Sequence, residues 1–230
     1  MKKFICLSVL LLVLNSCSNC DPTENNIPLA TQSKAIAQYD KSNFGIYKGV
    51  VINNSGILEV NINNDHTISA QLLLEGNSYT LTTTEKVVLN QEISGLTFSC
   101  KAFSFDFNVQ EQGENPTITN IQMAEHPNCK MLVLKETASN QIECYEGRYT
   151  GTDAGVFNFL LTKNGLIKGL IASKNYLEPL LLNGLKTENT SMSGTFNGAT
   201  FEGILQENNS NGTWKKEATE TGIWVAKRKL

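Results

Sequence analysis

The chain has 230 residues, of which 40% are hydrophobic and 18% charged, with a formal net charge of −3. That length suits one large β domain or two small ones, and the lack of a basic excess argues against nucleic acid as a partner. Two histidines, His66 and His126, leave too few parts for most His-based catalytic or metal sites.

Lys2 and Lys3 precede a ten-residue apolar run over residues 5–14. A spanning helix needs roughly 20 apolar residues, so this run has the length of a signal-peptide core. It ends in Leu14-Asn15-Ser16-Cys17, which resembles the lipobox of bacterial lipoproteins. The resemblance implies that residues 1–16 are a cleaved signal and that Cys17 is lipidated on sulfur with diacylglycerol. It also implies membrane attachment through palmitate-type chains. Ser18, rather than Asp, follows the cysteine, and by the family's sorting rule this implies the outer membrane of a Gram-negative cell. The periplasmic and surface faces both stay open. Cleavage would leave 17 basic against 22 acidic residues, a balance of −5.

Residues 17–42 are polar, carry Pro22 and Pro28, and are expected to form a lipid-anchored, flexible tether. A short helical turn is expected within residues 30–39. From about residue 44 the pattern alternates with period two. Phe103, Phe105, Phe107 and Val109 share one face, with Ser104, Asp106 and Asn108 opposite. Leu58, Val60 and Ile62 repeat the pattern, as do Ile68, Ala70, Leu72 and Leu74. One wet face and one buried face predict antiparallel sheet. Turn signals at Asn53-Asn54-Ser55-Gly56, Glu75-Gly76, Asn164-Gly165 and Asn197-Gly198 divide the strands. The fold class is therefore all-β, an antiparallel meander.

The pattern also repeats. Gly45-Ile-Tyr47-Lys-Gly49 matches Gly147-Arg-Tyr149-Thr-Gly151 at an offset of 102. The match continues at an offset of 99, where Gly56 meets Gly155, Leu58 meets Phe157 and Val60 meets Phe159. Two tandem β modules are expected, 43–138 and 143–230, each a small barrel-like or sandwich unit; one continuous barrel is the alternative. Glycine and aromatic residues alternate in the second half, as in Gly194-Thr-Phe196, Phe201-Glu-Gly203, Gly212-Thr-Trp214 and Gly222-Ile-Trp224. These motifs resemble the antiparallel β repeats of Gram-negative secreted and surface lipoproteins. They are also distantly similar to up-and-down barrels of the avidin and transferrin-binding-protein kind. The resemblance implies fold rather than activity, and no ligand residues transfer with it.

Six cysteines need placing. Cys6 leaves with the signal, Cys17 takes lipid and Cys20 falls in the tether. Of Cys100, Cys129 and Cys144, the pair Cys100–Cys129 is the expected disulfide, since both fall in the first module and an exported protein meets an oxidising compartment. Buried free thiols are the alternative. His126 and Cys129 are two candidate ligands at a proline turn, too few for zinc, and no metal or cofactor is expected. His66 reads as a solvated turn residue. Lys215-Lys216 and Lys227-Arg228-Lys229 read as exposed strand ends. Trp214, Trp224 and Phe201 read as core, with a binding role as the alternative. No serine-hydrolase, P-loop or dinucleotide motif occurs, and no catalytic residue is singled out. The expectation is a lipid-anchored envelope protein with a non-catalytic binding or structural role, contacting the membrane through Cys17 and an envelope protein or small ligand through its β modules. A small-ligand carrier with a barrel cavity is the first alternative, and an envelope hydrolase using paired carboxylates the second.

Overall fold

The computed structural model describes residues 23–24, 29–124, 126–187 and 189–230. The expected signal segment, the lipobox and Cys17 lie outside the described residues. The strands are β1 (Thr23–Glu24), β2 (Gly45–Ile52), β3 (Gly56–Ile62), β4 (Ile68–Leu74), β5 (Asn77–Thr82), β6 (Ile93–Ser99), β7 (Phe103–Val109), β8 (Thr117–Met123) and β9 (Lys130–Glu136). They continue with β10 (Ile142–Gly151), β11 (Gly155–Thr162), β12 (Leu166–Ser173), β13 (Leu180–Lys186), β14 (Ser191–Phe196), β15 (Ala199–Gln206), β16 (Asn209–Lys215) and β17 (Thr221–Arg228). The fold is all-β, in two tandem barrel-like modules. β2 to β8 form a meander in which each strand pairs with the next, and β9 returns to pair with β2. β10 to β17 repeat that path and close completely, with β17 paired to β10.

Side-chain alternation explains the strands. On β7, Phe103, Phe105, Phe107 and Val109 are buried in the first barrel, while the polar residues between them are only part-buried. The first barrel has two weak seams. β5 and β6 meet in a single residue pair, Thr82 with Ser99, and β8 makes no ladder with β9. β8 is too polar to bury either face well, its register against β7 shifts between Ser104 and Asp106, and Asn120 sits at a positive φ of 49°. A bulged, twisted strand of this kind terminates pairing.

The second barrel is filled by rings set over glycines. The interior alternates Tyr145, Gly147 and Tyr149 on β10 with Phe157 and Phe159 on β11. A Cβ on Gly147 would stand 2.6 Å from the Phe157 ring, and one on Gly203 would overlap the ring of Trp224. The Gly–aromatic pattern thus encodes large–small packing across neighbouring strands, which gives a small barrel its curvature.

The internal repeat is real in three dimensions, but its first part is shifted. Gly49 faces Leu58 across the β2–β3 ladder, and Gly147 faces Phe157 across β10–β11. Tyr47 likewise faces Val60 as Tyr145 faces Phe159. Tyr47 therefore corresponds to Tyr145, 98 residues on, and not to Tyr149. The sequence Tyr145-Glu-Gly147-Arg-Tyr149-Thr-Gly151 maps onto itself when slid by four residues, so letter matching alone cannot choose the register. From Gly56 onward the 99-residue offset holds in the ladders as in the sequence.

β2 is buried along its whole length. Tyr47 and Val51 point into the first barrel, while Lys48 and Val50 meet the second. There Val50 and Ile57 pack with Ile142, Cys144, Leu160 and Leu230. Lys48 and Glu136 form an ion pair of 2.7 Å with both side chains wholly buried. Glu136 also accepts hydrogen bonds from the amides of Lys34 and Ile142, and Lys48 donates to the Ile142 carbonyl. Asn158 of β11 donates to the Val51 carbonyl at 2.6 Å.

The described part of the expected tether lies against the barrels. Gln141 and Arg228 donate to the Ala30 carbonyl, and Asn64 both accepts from the Ile36 amide and donates to the Lys34 carbonyl. The expected helical turn is a 3-10 turn at Ala37–Tyr39. Arg228 is buried rather than an exposed strand end: its guanidinium pairs with Glu143 at 3.0 Å and its Nε donates to the Leu230 carbonyl.

The expected Cys100–Cys129 bridge is not formed. Cys129 and Cys144 are buried free thiols, with burial raising the first to about 11 and the second to about 12. Both are enclosed in apolar packing, which disfavours the thiolate. Cys100 is disulfide-bonded.

Candidate functional site

An up-and-down barrel gathers alternate turns at each end. In the second barrel the β10–β11, β12–β13, β14–β15 and β16–β17 connections share one end. They surround a cup of about 380 Å³. Its floor is aromatic: Tyr149 lies near the end of β10, Trp214 near the end of β16, and Phe196 closes β14. Tyr149 and Trp214 meet edge to face with ring centroids 5.9 Å apart, and Phe196 sits 6.3 Å from Trp214. The indole N–H of Trp214 donates to the Thr150 carbonyl at 3.1 Å, which fixes the ring's pose.

The rim is polar and internally braced. Asp153 accepts from four donors: the Tyr149 hydroxyl at 3.1 Å, the Ser173 hydroxyl at 2.7 Å, the Asn175 amide side chain at 2.8 Å and the Ala154 backbone N–H at 2.7 Å. A carboxylate has about four acceptor positions, so this one is spent on organising the β10–β11 and β12–β13 connections. Burial raises the Tyr149 phenol to about 12, which keeps it a neutral donor. Lys216 donates to the Tyr176 hydroxyl at 3.3 Å, and that bond raises its pKa. Glu220 completes the rim. Tyr176 is 40% exposed, and its neighbour Leu177 is 99% exposed at the tip of the β12–β13 connection.

Beneath the floor the barrel is packed. Phe157, Ile171, Leu182, Phe201 and Trp224 leave a residual cavity of about 20 Å³, room for no more than a water. The cup can therefore hold a group with an apolar face and polar edges at the barrel's end, but not inside it.

The residues singled out from sequence fall in several places. Phe201 and Trp224 are core, and Trp214 is both core and cup floor. His66 is an exposed turn residue at a φ of 68°. Among the described residues no three His, Cys, Asp or Glu side chains come together as a metal site. Sequence reasoning missed Tyr149, Asp153, Asn175, Tyr176, Phe196, Lys216 and Glu220. The signal available was Tyr176-Leu177, two large apolar residues in the otherwise polar connection Lys174-Asn-Tyr-Leu-Glu-Pro179. No model of a known protein family matches the chain, and no curated protein is similar to it.

Proposed function

We propose that this protein is a lipid-anchored envelope protein of the outer membrane that works by binding, without catalysis. The anchor is supported by the lipobox Leu14-Asn15-Ser16-Cys17 directly after a short apolar run. The observation that carries the binding role is the cup at the loop end of the second barrel, with its aromatic floor and braced polar rim. Loops on a rigid scaffold are where binding residues concentrate, and Tyr176 and Leu177 stand exposed on one of the four connections that ring the cup. The partner engages Tyr176 and Leu177 and reaches the floor at Phe196. A carried small molecule, the second reading, would have to sit in the same cup, because the interior below is filled.

The test is capture from detergent-solubilised envelopes by the full lipidated chain, compared with a Tyr176→Ala/Leu177→Ser variant. Removing an interface tyrosine typically costs 1–2 kcal/mol or more, so capture of the same species should fall by about tenfold or more. A protein or small molecule retained by the parent and lost from the variant supports the reading. Equal capture by both, or none by either, overturns it.

A further inference from the structure

A groove of about 520 Å³ crosses the outer wall of the second barrel and is bordered by Ser55, in the β2–β3 turn of the first. Asn158 of β11 holds Ser55 in place by donating to its hydroxyl at 3.3 Å. The groove shares no residue with the cup. Its floor spans β10, β17 and β16, and two register rows cross it. Arg148, Val225 and Asn211 lie side by side in one, and Glu146, Lys227 and Asn209 in the other. Tyr145, Tyr149, Trp224 and Ala226 take the interior positions of these strands, so by alternation both rows face outward. Lys229 stands at one end.

Three cations against one carboxylate leave the groove a balance of +2. Glu146 pairs with Lys229 at 3.5 Å. Lys227 lies directly opposite Glu146 in the ladder yet makes no ion pair with it. Arg148 has Val225 on one side and Val156 on the other. Opposite charges across a ladder stabilise a sheet, and this wall forgoes that at Arg148. Neither Arg148 nor Lys227 has a salt bridge or side-chain hydrogen bond among the described residues, and the carboxamides of Asn209 and Asn211 are equally uncommitted. Arg148 and Asn211 start two strand spacings apart, about 10 Å, which is room for one phosphate or sugar ring between them.

We infer that the groove binds a phosphate monoester, with Arg148 and Lys227 on the phosphate and Asn209 and Asn211 on hydroxyls of the body that carries it. The guanidinium fork donates two parallel hydrogen bonds to phosphate oxygens, and the ammonium supplies a point charge. A balance of +2 matches the phosphate dianion, whereas a carboxylate leaves one positive charge unmet. A carboxamide both donates to and accepts from hydroxyls. A soluble sugar phosphate and a phosphorylated lipid headgroup share this chemistry.

The experiment is isothermal titration of the full-length protein at low salt. The probes are glucose 1-phosphate, inorganic phosphate, glucuronate and dihexanoyl phosphatidylinositol 4-phosphate. Glucose 1-phosphate should bind about tenfold or more tighter than glucuronate. Arg148→Gln should weaken it by about tenfold or more, while Glu146→Gln, which frees Lys229, should tighten it a few-fold. Both positions lie outside the core, and an unchanged urea midpoint checks that the variants fold. Tighter binding of glucose 1-phosphate than of the lipid makes the source a soluble sugar phosphate, and the reverse makes it a headgroup; either supports the site. No binding of any probe, equal binding of glucuronate, an unaffected Arg148→Gln, or inorganic phosphate binding as tightly as the esters, an adventitious ion only, overturns it. The Tyr176→Ala/Leu177→Ser variant should bind glucose 1-phosphate as the parent does, so the groove and the cup stand or fall separately.

Discussion

Lys48 and Glu136 place two full charges in a contact from which water is excluded. Desolvating them costs several kcal/mol per ion, offset by their mutual attraction and by three further hydrogen bonds to backbone groups of Lys34 and Ile142. Removing only one partner leaves the other uncompensated. Lys48→Met should therefore lower unfolding stability by about 3–5 kcal/mol, read from the urea midpoint. Lys48→Met/Glu136→Gln should recover part of that loss, because a neutral amide oxygen can still accept from the Lys34 and Ile142 amides. A single variant as stable as the parent would show the pair to be energetically idle. At this scale the sequence was partly legible. The Phe103, Phe105, Phe107 and Val109 alternation gives its buried face correctly because one barrel wall decides it. Lys48 is not legible: a lysine between Tyr47 and Gly49, which face the barrel interior, has the spacing of a solvated strand position. Only the arrival of a second barrel buries it. The Cys100–Cys129 expectation failed for a similar reason, since shared module membership says nothing about which strands bring sulfurs together.

The two barrels share a path but not a degree of closure. Every neighbouring pair from β10 to β17 forms a ladder of four or more residues, whereas β5–β6 has one pair and β8–β9 none. Strand edges without a ladder open locally at little cost. In hydrogen-exchange mass spectrometry, β8 should therefore exchange about a hundredfold faster than β16 and β17. Equal protection would mean that the β8–β9 seam is closed in solution. Element existence and order were readable from period-two alternation and Asn-Gly turns. The glycine signals say where chains bend and where rings sit, as Gly203 does beneath Trp224, yet they do not fix register. That is why Tyr47 matches Tyr149 by letter and Tyr145 by ladder.

For the whole molecule, the proposed anchor makes the compartment depend on one residue, Cys17. Two or more acyl chains, at about 0.8 kcal/mol per buried methylene, anchor stably where one chain does not. Cys17→Ala should lose incorporation of a palmitate analogue and move from the membrane pellet to the soluble fraction. Label persisting on that variant would sink the anchor. The cup at the end of the second barrel was hidden from sequence because its parts come from four separate connections, and only Tyr176-Leu177 stands out locally. The buried β2 carries one more implication, in the time order of synthesis. Its inner face is covered within the first barrel, as Tyr47 is by Phe107, but the far side of Lys48 and Val50 waits for Ile142, Cys144 and Leu160. Those residues are made on the order of a hundred positions later, about 5 to 20 s at ordinary elongation rates. An apolar strand stays half naked for that interval, so the first strand made in the first barrel is among the last to be fully covered.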